Sequence, residues 1–216
     1  MPGTPPPADL TGFPVTVLAT GKPAYRIFRD RDPATGITWS PWFFSCAFSG
    51  SGSGKGRFDL PAPEGSCYLS DRQHGAWLEV FRGTGMVDRA DVDVRRILHA
   101  TRTRPLKLAT LIAAKARSFG ITADVAAGDD YSAPQSWAAA LRACGHGALL
   151  ARARHDPTGT ARTIVEFGVA GSRAVVRGWR TKRMRLTDDV VLLAALSRYG
   201  TGVAPVPARV AVIRPS

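Results

Sequence analysis

Residues 70–81 read SDRQHGAWLEVF, and this stretch decides how the rest of the chain is interpreted. Ser70 and Gln73 have the spacing of a capping box, and Asp71 is placed in the first turn, where a carboxylate complements the helix dipole. The residues that follow are largely apolar. The pattern therefore predicts a helix over residues 71–82, packed against a core.

One carboxylate, Glu79, interrupts the apolar part of this helix. A charged side chain in such a place is either turned to solvent or kept for a function. Gly75 and Ala76 precede it by four and three positions, on the same helical face, where small side chains leave room for a ligand. Arg57 and Tyr68 lie just upstream and make this region a candidate site.

The composition describes a chain that folds and favours anionic partners. Apolar residues make up 44% and charged residues 21% of 216 residues, which is enough for one domain with a real core. The formal net charge is +12, and 24 of the 29 basic residues are arginines. An excess of cations favours nucleic acid, an acidic protein or a phosphorylated small molecule. The arginines form no stripe with interleaved aromatic residues, so direct nucleic-acid binding is not expected.

Three cysteines and the absence of an apolar leader predict a cytoplasmic protein. The cysteines are odd in number and form no C-x-x-C pair, which argues against a disulfide framework and against a metal site. No run of apolar residues approaches the ~20 that are needed to cross a bilayer, so no membrane association is expected. The N-terminus has neither a basic start nor an apolar segment, and residues 1–12 are expected to be a flexible lead-in.

The remaining segments predict a single α+β domain over residues 13–216. Strands and helices alternate irregularly, without the regular βαβ order of a doubly wound sheet. We expect a small central mixed or antiparallel sheet with helices on its flanks. Strands are predicted at 13–19, 24–28, 42–48, 57–60, 66–70, 106–109, 147–153, 162–167, 173–179 and 208–213, and helices at 71–82, 91–100, 110–118, 136–144 and 187–199.

A glycine-rich loop at residues 49–56 is not a phosphate-binding P-loop. Gly56 stands after Lys55 where that motif requires Ser or Thr, Ser49 takes the place of its first glycine, and no helix follows. A mobile entry before Arg57 fits the composition better.

The ordered set of motifs resembles the RES-domain family, which is named for its Arg, Glu and Ser residues. The resemblance covers about residues 25–168 and leaves 170–216 as a C-terminal elaboration. Its pieces, in order, are Tyr25-Arg26, Gly56-Arg57-Phe58, Cys67-Tyr68-Leu69-Ser70, the helix with Ala76 and Glu79, the Gln135-to-Ala138 helix, residues 147–157 and Ile164–Gly168.

The resemblance implies the fold, the activity and the partners. Members are similar in fold to ADP-ribosyltransferase toxins, form the toxin half of bacterial toxin–antitoxin pairs, and consume NAD by hydrolysis, phosphorolysis or transfer of ADP-ribose. NAD would be a substrate, with no further cofactor and no metal, and an antitoxin protein would be a partner. By position, Arg26 and Arg57 match the family's arginines, Tyr68 its tyrosine and Glu79 its glutamate. The oligomeric state stays open, with a homo-oligomer as one alternative.

The residue types suit cleavage of an N-ribosyl bond. Positive charge builds on the ribose as nicotinamide leaves, and a carboxylate such as Glu79 stabilises it. Arg26 and Arg57 are candidates to bind the diphosphate, because arginine offers a bidentate fork. Tyr68 can present an aromatic face to the pyridinium. Each residue also has an ordinary structural interpretation, as a surface carboxylate, a cross-strand partner or a core tyrosine, and only their ordered occurrence favours a site.

Two further expectations follow. Ala153 stands where the family has its serine, so we expect it to face the cleft and Ala153→Ser to raise a weak turnover. Arg154 and His155 are interpreted as turn residues.

The rival function is a basic module that binds nucleic acid or an acidic protein on a catalytically degenerate RES-like fold, which the net charge favours.

Overall fold

A computed structural model of the chain describes residues 4–31, 35–36, 38–47, 56–82 and 85–204. The strands are β1 (Val15–Leu18), β2 (Pro23–Arg29), β3 (Trp42–Phe44), β4 (Cys46–Ala47), β5 (Leu60–Pro61), β6 (Glu64–Ser70), β7 (Met86–Asp88), β8 (Arg95–Arg102), β9 (Leu106–Thr110), β10 (Ala148–Arg152), β11 (Arg162–Val169), β12 (Gly171–Arg173), β13 (Trp179–Arg185) and β14 (Gly202–Ala204). The α-helices are α1 (Gln73–Phe81), α2 (Arg89–Asp93), α3 (Ala123–Ala127), α4 (Ser132–Ala143) and α5 (Val190–Leu196). Short 3-10 helices cover Ala114–Phe119, Leu186–Asp188 and Ser197–Tyr199.

Eight strands form one mixed sheet in the order β1-β9-β10-β11-β6-β2-β8-β13. Neighbouring strands of this sheet run antiparallel, except for the parallel pair β9 and β10. Helices pack on it, so the α+β class expected from the sequence is confirmed. The sheet is larger than the small one expected, because β8 and β13 extend it.

Both faces of the sheet are covered, and side chains alternate between them as strand geometry requires. In β10, Leu149 and Ala151 belong to a core under α4, whereas Leu150 belongs to a second core on the opposite face. A third core lies between α1, α5 and the strands β2 and β8, and Trp77 is fully buried in it. Helix α1 is therefore held by a packed apolar face, which leaves its remaining side free to present polar groups.

The sheet opens between β2 and β6. Each of these strands pairs with its outer neighbour at seven positions, but the two pair with each other only at Tyr25 and Ser70. In the gap, Arg26 donates from Nη1 to the carbonyl oxygen of Phe43 and to Cys67 Sγ. Strands that meet at one position and then diverge leave a cleft whose walls carry side chains from both.

Helix α1 begins later than the capping pattern suggests. Its N-cap is Arg72, no side chain caps it, and its first turn has no acidic residue. Ser70 Oγ accepts from the backbone N–H of Arg72 at 3.2 Å, while Asp71 Oδ1 accepts from the N–H of Arg162 at 2.8 Å. The expected capping box is wrong, because Ser70 bonds within the turn between β6 and α1 and Asp71 anchors that turn to strand β11.

Other expectations change for tertiary reasons. The helix expected over 91–100 is the short α2 followed by β8, since residues 95–102 pair with both β2 and β13. In residues 4–12, Leu10 is buried and Trp137 Nε1 donates to the carbonyl of Thr4 at 3.0 Å, so this segment contacts the core at two points. The glycine loop, apart from Gly56, and the strand expected at 208–213 lie outside the described residues.

None of the helices in the described ranges is both long and apolar enough to span a bilayer.

Candidate functional site

A cavity of about 260 Å³ lies where β2 and β6 diverge, beneath helix α1. Its lining comprises Tyr25, Arg26, Ile27, Gly56, Arg57, Phe58, Tyr68, Leu69, Ser70, Ala76, Glu79, Val80, Arg82, Tyr131, Arg152, Arg154, His155 and Thr163. The four candidates named above, Arg26, Arg57, Tyr68 and Glu79, all contribute to it. Among the described lining residues there is one carboxylate and there are five arginines, so the cavity suits an anionic ligand.

Glu79 is half-buried on the side of α1 that faces this cavity. Its Oε1 accepts from the backbone N–H of Arg154 at 2.8 Å, which fixes the direction of the carboxylate. Ala76, one turn earlier, lines the cavity as expected. Gly75 does not: a Cβ there would lie 2.3 Å from Ser70 Oγ and 2.7 Å from Ala161 Cβ, so this glycine serves close packing rather than ligand access.

Arg57 is almost fully buried, with 8% of its surface exposed. Its Nη2 donates to the carbonyl of Gly128 at 2.7 Å and its Nη1 to that of Val125 at 3.4 Å. The guanidinium also lies 4.9 Å from the ring centroid of Tyr131. Burial, followed by the nearby charge of Arg154, lowers the pKa of Arg57. Two of its N–H donors are thus used within the protein, and the guanidinium presents its positive charge to the cavity.

Tyr68 contributes its ring to the cavity, while its hydroxyl is held in a network behind it. The hydroxyl donates to Asp59 Oδ1 at 2.8 Å and accepts from the N–H of Phe58 at 2.8 Å. Asp59 is buried and also accepts from the N–H of Gly56 at 2.9 Å. Burial, and then the charge of Asp59, raises the pKa of Tyr68 well above its ordinary value. The hydroxyl is therefore a neutral donor that positions the turn carrying Arg57.

Arg154 and His155, interpreted above as turn residues, belong to the site. Arg154 supplies the N–H that holds Glu79, and its guanidinium contacts Tyr131 and Asp129. Burial lowers the pKa of His155, and the arginines nearby act in the same direction against the opposite effect of Glu79. The two-residue spacing of Arg152 and Arg154 at a strand end was the available signal, because it puts both on one face.

The turn after Arg154 is organised by a buried carboxylate. Asp156 accepts from the N–H groups of Thr158, at 2.9 Å, and Ala161, at 2.7 Å. These bonds close the connection between β10 and β11, which is what brings the N–H of Arg154 to Glu79.

The expectation that Ala153 faces the cleft is wrong. Ala153 is 4% exposed and is absent from the cavity lining, whereas Arg152 and Arg154 on either side line it. Successive side chains in an extended segment point to opposite faces, so the position between two site arginines points away from the site.

Comparison with known proteins agrees with this architecture. The family model described as the RES domain matches residues 23–186, about three quarters of the chain, and so reaches beyond the end of the resemblance noted above.

A solved structure, that of the M. tuberculosis MbcT–MbcA toxin–antitoxin complex, is similar with a TM-score of 0.52 and 18% sequence identity. The similarity covers 79% of this chain and 88% of that one, and at this identity it concerns the fold. No curated protein matches the chain. The extent of the family match establishes that this chain belongs to the RES-domain family.

Proposed function

We propose that this protein is an NAD-consuming enzyme that cleaves the nicotinamide–ribose bond and acts as the toxin of a toxin–antitoxin pair. The observation that carries the proposal is the position of Glu79, the one carboxylate among the described lining residues of a cavity that also holds five arginines. The backbone N–H of Arg154 aims it. An anionic substrate that develops positive charge at one point needs this combination.

Glu79 would stabilise the reacting ribose. As the bond to nicotinamide breaks, the ribose acquires oxocarbenium character, and a fixed carboxylate lowers the energy of that state. The hydrogen bond from Arg154 occupies one carboxylate oxygen, Oε1, and leaves Oε2 for the substrate. Preorganisation by a backbone group costs no rearrangement when the charge develops.

The arginines would bind the diphosphate. Arg26 lies on β2 and Arg154 lies beyond β10, so cations approach the cavity from both sides of the divergence. Guanidinium groups match phosphate oxygens in pairs, which gives orientation as well as affinity. The ring of Tyr68 provides an apolar, electron-rich surface for the positively charged pyridinium.

The toxin assignment rests on family membership and on the structural neighbour, which is the toxin of a complex with its antitoxin. An antitoxin protein that covers or fills the cavity is the partner we propose. NAD serves as substrate, and the chemistry assigned to these residues requires no bound cofactor.

The test is incubation of the purified protein with NAD, with and without inorganic phosphate, followed by mass-spectrometric identification of the products. Free ADP-ribose indicates hydrolysis, its 1-phosphate indicates phosphorolysis, and ADP-ribose attached to protein indicates transfer. The three outcomes separate the possible acceptors. Release of no more nicotinamide than a protein-free blank would contradict the proposal.

A second candidate, a basic binding module, is favoured by strand β13. Arg180, Lys182 and Arg183 are exposed on this edge strand, and within the described part of the chain none of the three has an ion-pair partner. Charged edge strands also protect sheets from aggregation, which is the simpler explanation. Binding to RNA or DNA that weakens steeply with salt, without NAD turnover, would favour this alternative.

A further inference from the structure

Residues 128–131, between α3 and α4, are fastened to two arginines of the cavity. The carbonyl of Gly128 accepts from Arg57 Nη2 at 2.7 Å. The hydroxyl of Tyr131 accepts from Arg154 Nη1 at 3.1 Å, and Asp129 Oδ1 accepts from Arg154 Nη2. We call residues 128–131 the acidic strap. One of its two carboxylates, that of Asp129, therefore contacts a cation that also lines the cavity.

Asp129 is unusual because its side chain is 95% exposed and yet forms an ion pair with a site residue. In the described residues it has no other hydrogen bond or ion pair. Its neighbour Asp130, by contrast, accepts from the N–H and the hydroxyl of Ser132 and so supports the start of α4. An exposed pair of this kind adds little to stability. Its clearest effect is to occupy Arg154.

The contact with Asp129 stabilises the charged form of Arg154. Partial desolvation lowers the pKa of its guanidinium, but the hydrogen bond and charge of Asp129, together with Tyr131, outweigh that effect and raise it. Arg57 and Arg154 lie 4.9 and 5.9 Å from the ring centroid of Tyr131, which holds the two cations on one aromatic ring. Two cations held on one ring suit a ligand that carries two negative charges.

We infer that Asp129 takes the place of an anionic ligand group on Arg154, and that a diphosphate entering the cavity displaces it while Tyr131 keeps the guanidinium in position. The inference rests on the proposed function only in that the ligand carries a diphosphate. Two residues of the acidic strap then have opposite roles: Asp129 competes with the ligand, and Tyr131 supports its binding.

The test is calorimetric titration of the full chain with inorganic pyrophosphate at low ionic strength. Asp129→Asn should bind about two- to fivefold more tightly than the parent, because an exposed ion pair of up to ~1 kcal/mol no longer has to be broken. Tyr131→Phe should bind more weakly, by a factor of about 2 to 10, because it loses one hydrogen bond to Arg154. Asp130→Asn is the matched control: it removes the same charge one residue away and should bind as the parent does.

The outcomes separate this inference from the proposed function. Equal affinities for the parent and Asp129→Asn would overturn it, as would an equal gain in Asp130→Asn, which would indicate a diffuse charge effect. Failure of all variants to bind pyrophosphate would also overturn it, while Glu79-dependent NAD cleavage could still be observed. Conversely, the expected ranking of affinities together with no NAD turnover would keep the competing role of Asp129 and refute the enzymatic proposal.

Discussion

At the scale of single residues, one backbone N–H determines what Glu79 can do. A carboxylate among arginines would ordinarily turn toward the nearest guanidinium, but here Oε1 is held by the amide of Arg154. The charge of Glu79 is thereby kept in the cavity and directed at whatever occupies it. A residue that works in this way should be sensitive to loss of its charge.

Glu79→Gln should retain the fold and cleave NAD more slowly by a factor of about 10²–10⁴, the range for a positioned catalytic group. The amide can still accept the hydrogen bond from Arg154, so the change removes charge and little else. Steady-state nicotinamide release measures the effect. Glu64→Gln is the control, because Glu64 lies outside the cavity lining and forms a partly exposed pair with Arg142. A Glu79→Gln variant as active as the parent would refute the role of the carboxylate.

Arg57→Lys should weaken NAD binding by at least about tenfold although the charge is kept. A lysine cannot donate to Gly128 and Val125 while stacking on Tyr131, so its charge is no longer held in position beside the cavity. It also cannot offer the diphosphate a bidentate fork, in which each charge-assisted hydrogen bond contributes about 1.5–3 kcal/mol. Equilibrium binding of NAD to the Glu79→Gln background, where turnover is slow, gives the constant directly. Arg180→Lys, on the exposed edge strand, should change nothing. Parent-like affinity in Arg57→Lys would show that only a point charge is required.

At the scale of elements, helix α1 is confined at both ends by tight geometry. Its start packs against the end of β6 and the start of β11, through Gly75. Its end stops at Arg82, which adopts a left-handed backbone conformation with φ of 53°. Both features constrain the position of Glu79 between them. For each one we predict a change in stability opposite in sign to the usual effect of the substitution.

Gly75→Ala should destabilise the protein, although replacing a helical glycine by alanine ordinarily gains about 0.5–1 kcal/mol. The added methyl group would come within 2.3 Å of Ser70 Oγ, so strands and helix must separate. We expect a loss of about 1–3 kcal/mol of unfolding free energy in urea, the range for overpacking. Gly147→Ala is the control, since a Cβ there meets nothing within 4 Å. Stabilisation by Gly75→Ala would mean that α1 can move away from β6 without cost.

Arg82→Gly should stabilise the protein by about 1 kcal/mol and at the same time weaken NAD binding. Glycine adopts the left-handed conformation at a helix end without strain, whereas arginine does not. The same change removes one of the five arginines that line the cavity. Thermal unfolding and NAD titration of one sample measure both effects. A gain in stability with unchanged affinity would remove Arg82 from the site.

The elements predicted from sequence were those whose local pattern agrees with their final environment. In helix α1 the apolar residues recur at helical spacing, and in strands β2, β6, β9 and β11 they recur with the period of a strand. The approximate positions of these elements therefore follow from the local sequence pattern. Strand β8 was missed because residues 95–102 carry charges at both ends, and only its pairing with two neighbouring strands makes it a strand. Capping was misjudged because Ser70 and Asp71 hold the adjacent turn instead.

The residues of the candidate site divide in the same way, into those that local motifs predict and those that only tertiary folding brings to the cavity. Arg26, Arg57, Tyr68 and Glu79 were accessible from sequence because they fall in ordered motifs. Tyr131 and Arg154 reach the cavity only through tertiary folding: one by way of the segment before α4, the other by the turn after β10. The two-residue spacing of Arg152 and Arg154 places them on one face, but it does not indicate which cavity that face lines. That information lies in the distances between segments far apart in the chain.

At the scale of the whole molecule, partly buried histidines should make stability depend on pH. Burial lowers the pKa of His74, His146 and His155 below the ordinary value. The unfolded chain therefore takes up protons first as pH falls, and stability is lost between about pH 6.5 and the lowered values. Urea unfolding at pH 7.5, 6.5 and 5.5 should show a decreasing free energy.

His146→Gln should reduce this dependence, because burial is the cause of the lowered pKa of His146. The carboxylate of Asp156 has a lowered pKa as well, despite its burial, but stability from that group is lost only below the ordinary range for aspartate, near pH 4. A stability that stays constant or rises from pH 7.5 to 5.5 would contradict the role of the histidines.

The divergence of β2 and β6 has a thermodynamic consequence for the search for ligands. Two strands that pair at one position forgo a ladder of hydrogen bonds, so the folded chain holds a gap with room for a small molecule. By mass action, a compound that binds only the folded form at 100 times its dissociation constant adds about 2.7 kcal/mol to stability. A melting-temperature screen of nucleotides and dinucleotides would therefore identify compounds that bind the folded protein without assuming any reaction, even with variants that have no catalytic activity.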